Sequence, residues 1–402
     1  MKNRIQTVLV VIVVGFGLLL VGLLGLWAYM SATPPLHPDA QGVPSVSHAA
    51  PAPEWTAAAE HARQIVRTDL AAQNLPGVSV AVGTGGRIVW AEGFGFADLE
   101  NRERVAPDTR FRIGTASTAL TSVAAGLLVD QGRLNLDEKT QAYVPEFPAK
   151  PWPVTLRQVM GHVAGLRTDS GDESPLYGIH CERPVEALEE FKDKDLLFEP
   201  GTQYRYSTYD WILISAAMEK ASGEPFMRFM RRRIFEPLGM QDTRDDSALG
   251  ATPSRATAYF PRFAADPRYG PDPMRDVDYS CYAGSSAFVS TPTDLVRFAM
   301  ALDGGALLKP ATLQLFQRSQ QLRSGEDTGY GLGWDLETVT IAGDETPVVG
   351  HDGELFGGMV ASLMIFPEHE IVVAVISNTA YADTYALGVK IAETFVAQQK
   401  KR

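Results

Sequence analysis

The sequence predicts an α+β protein behind a single N-terminal transmembrane helix. Three observations carry that reading: an uncharged apolar run at the start, β-rich runs at both ends of the remaining chain, and a long helical stretch between them. The chain has 402 residues, room for two to three domain-sized pieces. Apolar residues make up 45% and charged residues 21%, ordinary globular usage that excludes wholesale disorder and collagen-like repeats. The net charge is −12, so nucleic acid is excluded as the main partner: phosphate binding needs concentrated positive charge. Two cysteines are too few for a disulfide-rich scaffold or a four-cysteine zinc site.

Thr7 to Met30 carry no charge and are dominated by Val, Leu, Ile and Gly. At about 1.5 Å per residue such a helix reaches about 36 Å, enough to cross a hydrocarbon core of about 30 Å. A cleaved signal peptide has a shorter apolar core, and Met30-Ser31-Ala32 matches an A-x-A-like site poorly. An uncleaved signal-anchor over residues 1–30 is the expectation. Lys2 and Arg4 precede the span and no Lys or Arg occurs in Ser31 to Glu54, which puts the N-terminus in the cytoplasm and the main domain outside. Residues 31–53, with six prolines, read as an extended, weakly structured tether. An oxidising exterior permits a Cys181–Cys281 disulfide. Two separate buried thiols are the alternative, and spacing does not decide between them.

From Glu54 to Ala72 the apolar spacing predicts an opening helix. Val78–Val82 and Arg87–Phe94 are β-rich runs joined by Gly83-Thr84-Gly85-Gly86, a hairpin signal. Ala116, Ala119, Leu120, Val123, Ala124, Leu127 and Leu128 recur at helical spacing until Gly132. Residues 133–280 read mainly as helical pieces, including Trp211 to Ala221 and Phe226 to Phe235. Met359–Phe366 and Ile371–Asn378 are β-branched runs, and a closing helix spans about Thr384 to Gln398. The economical architecture is one antiparallel sheet built from both ends (about 54–115 and 285–398), flanked by terminal helices, with a helical lobe (about 116–284) inserted. The cleft between two such lobes is a favoured ligand site.

Four stretches then carry a resemblance: Phe111-Arg112-Ile113-Gly114-Thr115-Ala116-Ser117-Thr118, Tyr206-Ser207-Thr208, Tyr330-Gly331-Leu332-Gly333-Trp334 and His351-Asp352-Gly353. Supporting phrases are Leu75-Pro76-Gly77-Val78, Gly161-His162-Val163-Ala164-Gly165-Leu166 and Glu199-Pro200-Gly201. Over about residues 54–398 the chain resembles the serine β-lactamase and penicillin-binding-protein superfamily, nearest its class C and mitochondrial β-lactamase-like branch. The resemblance implies a β-lactamase/transpeptidase-like fold and acyl transfer from an ester or amide to water through a covalent intermediate.

The first motif departs from that family. Its members carry S-x-x-K, which sets an ammonium beside the nucleophilic hydroxyl on one helix face. Here Thr115 takes the Ser position and Thr118 the Lys position. Thr115 keeps a hydroxyl, though a Thr after Gly ahead of an apolar-periodic run also reads as a helix N-cap. Thr118 carries no charge. In the second motif Tyr206 keeps the phenol that acts in proton transfer, and Thr208 replaces a substrate-contacting amide with a hydroxyl. In the third, His351 stands where the family has a Lys or His on an edge strand. There it binds or polarises substrate alongside Asp352, with Gly353 letting substrate approach the backbone. The N–H groups of Thr115 and of a residue after Gly353 would form an oxyanion hole. His162 reads as structural, part of a loop-turn phrase.

No H-E-x-x-H, C-x-x-C or P-loop occurs, so neither metal nor organic cofactor is expected. Two readings stay open. One is a membrane-anchored hydrolase of a small-molecule or peptide substrate, with Thr115 as nucleophile, Tyr206 as base and His351 as polarising group. The other is an inactive relative that keeps the cleft to bind peptidoglycan-like peptides or a protein partner, which the uncharged Thr118 favours.

Overall fold

The computed structural model describes residues 2–167, 176, 178–246, 254–275, 277–305, 307–355 and 358–401. In chain order its helices are α1 (Lys2–Met30), α2 (Thr56–Gln73), α3 (Ser117–Asp130), α4 (Leu156–Met160), α5 (Pro184–Ala187), α6 (Thr208–Ser222), α7 (Phe226–Met230), α8 (Pro292–Asp303), α9 (Pro310–Phe316) and α10 (Thr384–Gln399). Its strands are β1 (Ser45–Val46), β2 (Gly77–Thr84), β3 (Arg87–Asp98), β4 (Glu103–Arg104), β5 (Phe111–Arg112), β6 (Arg244–Asp245), β7 (Tyr259–Pro261), β8 (Pro271–Pro273), β9 (Phe288–Ser290), β10 (Asp335–Ile341), β11 (Asp344–Leu355), β12 (Met359–Phe366) and β13 (Ile371–Ser377).

The main sheet runs β1-β3-β2-β13-β12-β11-β10, each pair antiparallel. The two ends of the chain meet at its centre, where Val80 lies opposite Val375 and Val82 opposite Val373. In β13, Val372, Ala374 and Ile376 join one apolar cluster, whereas Ile371, Val373 and Val375 join another. The second cluster takes Ala62, Val66 and Leu70 of α2 and Ile391 and Phe395 of α10; the first takes Val296 and Phe298 of α8 and the helical lobe. A strand covered on both faces needs apolar residues at every position, which is why β12 and β13 read as unbroken apolar runs. Each such buried side chain contributes about 1.5–3 kcal/mol. Gly85 (φ +56°) and Gly86 (φ +73°) supply the left-handed turn of the β2–β3 hairpin.

The inserted lobe holds α3 to α7 and a small sheet ordered β5-β9-β6. The Phe226–Phe235 stretch splits into α7 and a π-helical turn over Arg231–Phe235. Cys181, ahead of α5, and Cys281, in the 3-10 turn Ser280–Tyr282, are joined by a disulfide with Cα atoms 4.9 Å apart.

α1 contains one span, Val8–Met30, long and apolar enough to cross a membrane, with a mean hydropathy of 3.0. Residues 31–53 are not a free tether along their length. Ser45 and Val46 pair with Phe94 and Gly93 at the sheet edge. The Leu36 N–H donates to Asn74 Oδ1 (2.7 Å), the His37 ring donates to the Leu75 carbonyl (3.1 Å), and Asn74 Nδ2 donates to the Pro34 carbonyl (3.1 Å). At the exit of α1 the Arg262 guanidinium lies 5.0 Å over the Tyr29 ring and donates to the Ala32 carbonyl at 3.1 Å. Proline lowers the entropy lost on docking and leaves its carbonyl free to accept, so the segment lies flat against the domain.

The disulfide closes a loop of 100 residues. Its reduction is expected to lower the unfolding free energy by about 2–5 kcal/mol, read by urea denaturation. Two freely alkylated thiols in freshly isolated, denatured protein would contradict the bridge.

Candidate functional site

The site begins at β5, which is pinned from behind. Arg112 pairs with Asp246, donates to the Val277 carbonyl at 3.0 Å and stacks 4.6 Å from the Tyr279 ring. Past β5 the chain makes a 3-10 turn at Gly114–Ala116 and enters α3 at Ser117. This turn overturns the N-cap reading of Thr115: the N-cap position of α3 is Ala116, and it makes no side-chain cap. The Thr115 hydroxyl instead donates to the Asp352 carbonyl on β11, at 3.1 Å.

Close approach of β11 makes that bond possible. A Cβ on Gly353 would lie 2.0 Å from the Ile113 carbonyl oxygen and 2.6 Å from the Ala116 nitrogen. Gly114, at φ +53°, faces Glu354 and Gly353 in the same way. Gly353 is thus required by the turn leading into α3, which approaches its backbone directly. The remainder of the third motif agrees with an edge position. β10 covers β11 only up to Gly350, which leaves His351 to Leu355 uncovered on that side.

His351 is buried, at 3% exposure. Its Nδ1 donates to the Asp352 carbonyl at 2.6 Å and so carries a proton. Its Nε2 then accepts from the Tyr330 hydroxyl at 3.0 Å. The Asp352 carbonyl thus receives both the Thr115 hydroxyl and the His351 ring. The Asp352 side chain turns to the other face of the sheet, against Ser362 and α10. Lost hydration, and after it the neighbouring Asp335, Glu337 and Asp383, push its carboxyl up to about 7, against an opposing hydrogen bond from Ser362.

Tyr206 precedes α6. Its ring centroid lies 4.2 Å from that of His162, 6.1 Å from His351 and 6.2 Å from Tyr330. Thr208 is buried as the first residue of α6. Thr118 is fully buried as the second residue of α3, and its hydroxyl has no partner among the described residues. Thr115, Tyr206, His351 and the Gly353 backbone are therefore gathered on one site, with an uncharged, buried residue where the family pattern has an ammonium.

Sequence reasoning missed one wall of this site. His162, read as a structural loop residue, is fully buried with φ +56°, between Tyr206 and Tyr330 (4.8 Å). The Trp211 indole donates to its Nε2 (3.3 Å), so Nδ1 carries the proton and donates to Asp210 Oδ2 at 2.6 Å. Burial pushes His162 well below its ordinary range, helped by nearby His351, and pushes Asp210 well above its own. Burial also holds the Tyr330 phenol far above 10. The available signal is the Tyr330-Gly331-Leu332-Gly333-Trp334 motif itself. The wall is assembled by backbone bonds from Gly201 to the Val163 carbonyl (2.8 Å) and from Arg205 to the His162 carbonyl (2.9 Å). The Ser122 hydroxyl ties α3 to the Leu332 carbonyl at 2.6 Å.

The sheet with its terminal helices, the inserted helical lobe and the Thr115–Tyr206–His351 cluster define a β-lactamase/transpeptidase-like protein. The beta-lactamase family model matches residues 62–396, and the chain belongs to that family. Among curated proteins it is 25% identical to the mouse mitochondrial serine beta-lactamase-like protein LACTB, over 94% of this chain and 89% of that one. It is also 25% identical to penicillin-binding protein 4* of Bacillus subtilis, over 75% of this chain and 67% of that one. In fold it matches the octameric penicillin-binding protein homologue from Pyrococcus abyssi (TM-score 0.71, 21% identity, 84% of this chain and 77% of that one). It also matches a D-stereospecific amidohydrolase from Streptomyces (TM-score 0.70, 22% identity, 83% and 98%).

Thr118 gives a direct stability test. A buried hydroxyl without a partner costs about 1–3 kcal/mol relative to its paired state. Thr118→Val, which keeps the shape and removes the hydroxyl, is expected to leave stability unchanged or to raise it. A loss of more than about 1 kcal/mol in urea unfolding would mean that the hydroxyl has a partner in solution.

Proposed function

We propose that this protein is a membrane-anchored, β-lactamase-related binding module whose cleft takes a small acyl or peptide ligand without turning it over. The single observation that carries this reading is Thr118: uncharged, fully buried and with no hydrogen-bond partner for its hydroxyl among the described residues. An alkoxide needs a nearby cation or base to form at neutral pH. Thr115 donates to a carbonyl, which cannot take its proton, and both His351 nitrogens are occupied by Asp352 and Tyr330. The names of two similar proteins support this ligand class: one is a penicillin-binding protein, the other a D-stereospecific amidohydrolase. Whether peptidoglycan-like peptide or partner segment, the ligand would lie along the uncovered edge of β11 and hydrogen-bond to its backbone.

A second reading has its own observation. Thr115 is half-exposed at the entry to α3, beside the strand that carries His351. A slow hydrolase would use Thr115 as nucleophile, Tyr206 as base, His351 to polarise substrate, and the Thr115 and Glu354 N–H groups as oxyanion donors. Restoring the missing charge tests whether Thr118 is what silences the cleft. The double change Thr115→Ser and Thr118→Lys re-creates a hydroxyl–ammonium pair at i and i+3. It is expected to raise hydrolysis of an activated ester at least about tenfold, or about 1.4 kcal/mol of barrier, and Tyr206→Phe in the same background to remove most of the gain. Burying a new ammonium costs stability, so the measurement is made well below the variant's melting temperature. Wild-type turnover that Thr115→Ala abolishes would replace the binding reading with the hydrolase one.

The same proposal places the N-terminus in the cytoplasm and residues after Ser31 outside, on the charge asymmetry across α1. Protease added to sealed cells is expected to remove the main domain, which stays membrane-bound until then. Recovery of a soluble protein beginning near Thr33 would contradict the anchor.

A further inference from the structure

The helical lobe holds a second cavity that shares no lining residue with the cleft. It has a volume of about 280 Å³, near the lower end of the range for small-molecule sites (about 300–1,000 Å³). One part of its wall is apolar, from Pro225, Met227 and Phe235; another is cationic, from Arg228, Arg231 and Arg244, with Asp245 as the lone carboxylate. Such a concentration of guanidinium groups stands out in a chain of net charge −12.

Arg244 carries the argument. It lies on β6, where pairing with Val289 of β9 fixes its backbone. Its Nε and Nη2 are buried and have no hydrogen-bond acceptor among the described residues. A buried donor left unpaired is costly, the more so where it is charged. A guanidinium fork in that state is a preformed receptor for a planar or tetrahedral oxyanion, which accepts two N–H bonds at once. Arg231 and Phe235 reach the cavity from the π-helical turn, a local widening that recurs at functional sites. Arg231 is only loosely engaged, its Nε 3.4 Å from Glu236, and Arg228 makes no ion pair among the described residues.

We propose that this cavity binds a small organic oxyanion, its carboxylate or phosphate head held by Arg244, Arg228 and Arg231 and its short apolar body packed on Pro225, Met227 and Phe235. The site is independent of Thr115, Tyr206 and His351, so it stands or falls separately from the reading of the cleft.

The test uses the full chain in lipid nanodiscs, titrated calorimetrically at fixed ionic strength with hexanoate, hexanamide and inorganic phosphate. Hexanoate is expected to bind saturably at one site and phosphate more weakly, because it lacks the apolar body. Hexanamide, which keeps the chain but not the charge, is expected not to bind. Arg244→Gln should weaken hexanoate at least about tenfold, and the exposed pair Arg228→Gln with Arg231→Gln should weaken it independently. Circular dichroism checks each variant's fold, and the exposed pair carries the test if Arg244→Gln does not fold. The proposal is overturned if hexanoate does not saturate, if hexanamide binds equally well, or if phosphate binds more tightly than hexanoate. Hexanoate affinity left unchanged in a folded Arg variant, or lost with Thr115→Ala, would overturn it as well.

Discussion

The cleft depends on one backbone contact, the seam between the turn at Gly114 and the strand at Gly353. A side chain on Gly353 would collide with the Ile113 backbone, and Gly114, packed tightly on Glu354 and Gly353, needs the left-handed region. Because the two chains meet this closely, the start of α3 is set directly against the uncovered end of β11. The Asp352 carbonyl then becomes the common acceptor for Thr115 and His351. On the same strand the His351 ring is held between that carbonyl and the Tyr330 hydroxyl.

Around this seam the protein has solved its electrostatics by removing charge. An ammonium beneath the nucleophile needs acceptors, and an incompletely paired buried charge costs several kcal/mol. Thr118 avoids that cost altogether. Tyr206, Tyr330 and His162 pack as rings, and burial drives the His162–Asp210 pair towards its neutral forms. Replacing buried ionic groups by neutral packing is often neutral or stabilising, so the departure from S-x-x-K is a stable end point rather than a defect in the fold. Among the described residues the Thr115 hydroxyl bonds only to the Asp352 carbonyl, which cannot take its proton.

How much of this was legible in the sequence depended on the range of the interaction. The β12 and β13 runs and the Gly85-Gly86 turn were readable because period and turn chemistry are local, and the two β-rich ends implied a sheet closed between them. Thr115 misled because a 3-10 turn, invisible to helical spacing, moves the cap position to Ala116. Gly353 was recognised as a place of close approach, but only the tertiary structure shows that the approaching group is Ile113. His162 was missed because its partners come from α6 and from the loop before β10, segments far apart in the chain. The Pro-rich segment misled for a related reason: composition reports chain stiffness, whereas Asn74, His37 and Arg262 decide whether the segment docks.

The docked segment also bears on how the domain is held: Arg262 lies over Tyr29 of α1 and donates to the Ala32 carbonyl just after it. A reactive cleft and an inert one differ most plainly in what they retain covalently. Intact-protein mass, taken after the folded full chain has been exposed to an activated acyl ester, a β-lactam and a fluorophosphonate, reads that difference without assuming a substrate. A cleft with no activated nucleophile leaves the mass unchanged under all three reagents. A stoichiometric adduct mapped to Thr115 would mean that the hydroxyl is activated after all, and that the neutral cleft described here is wrong.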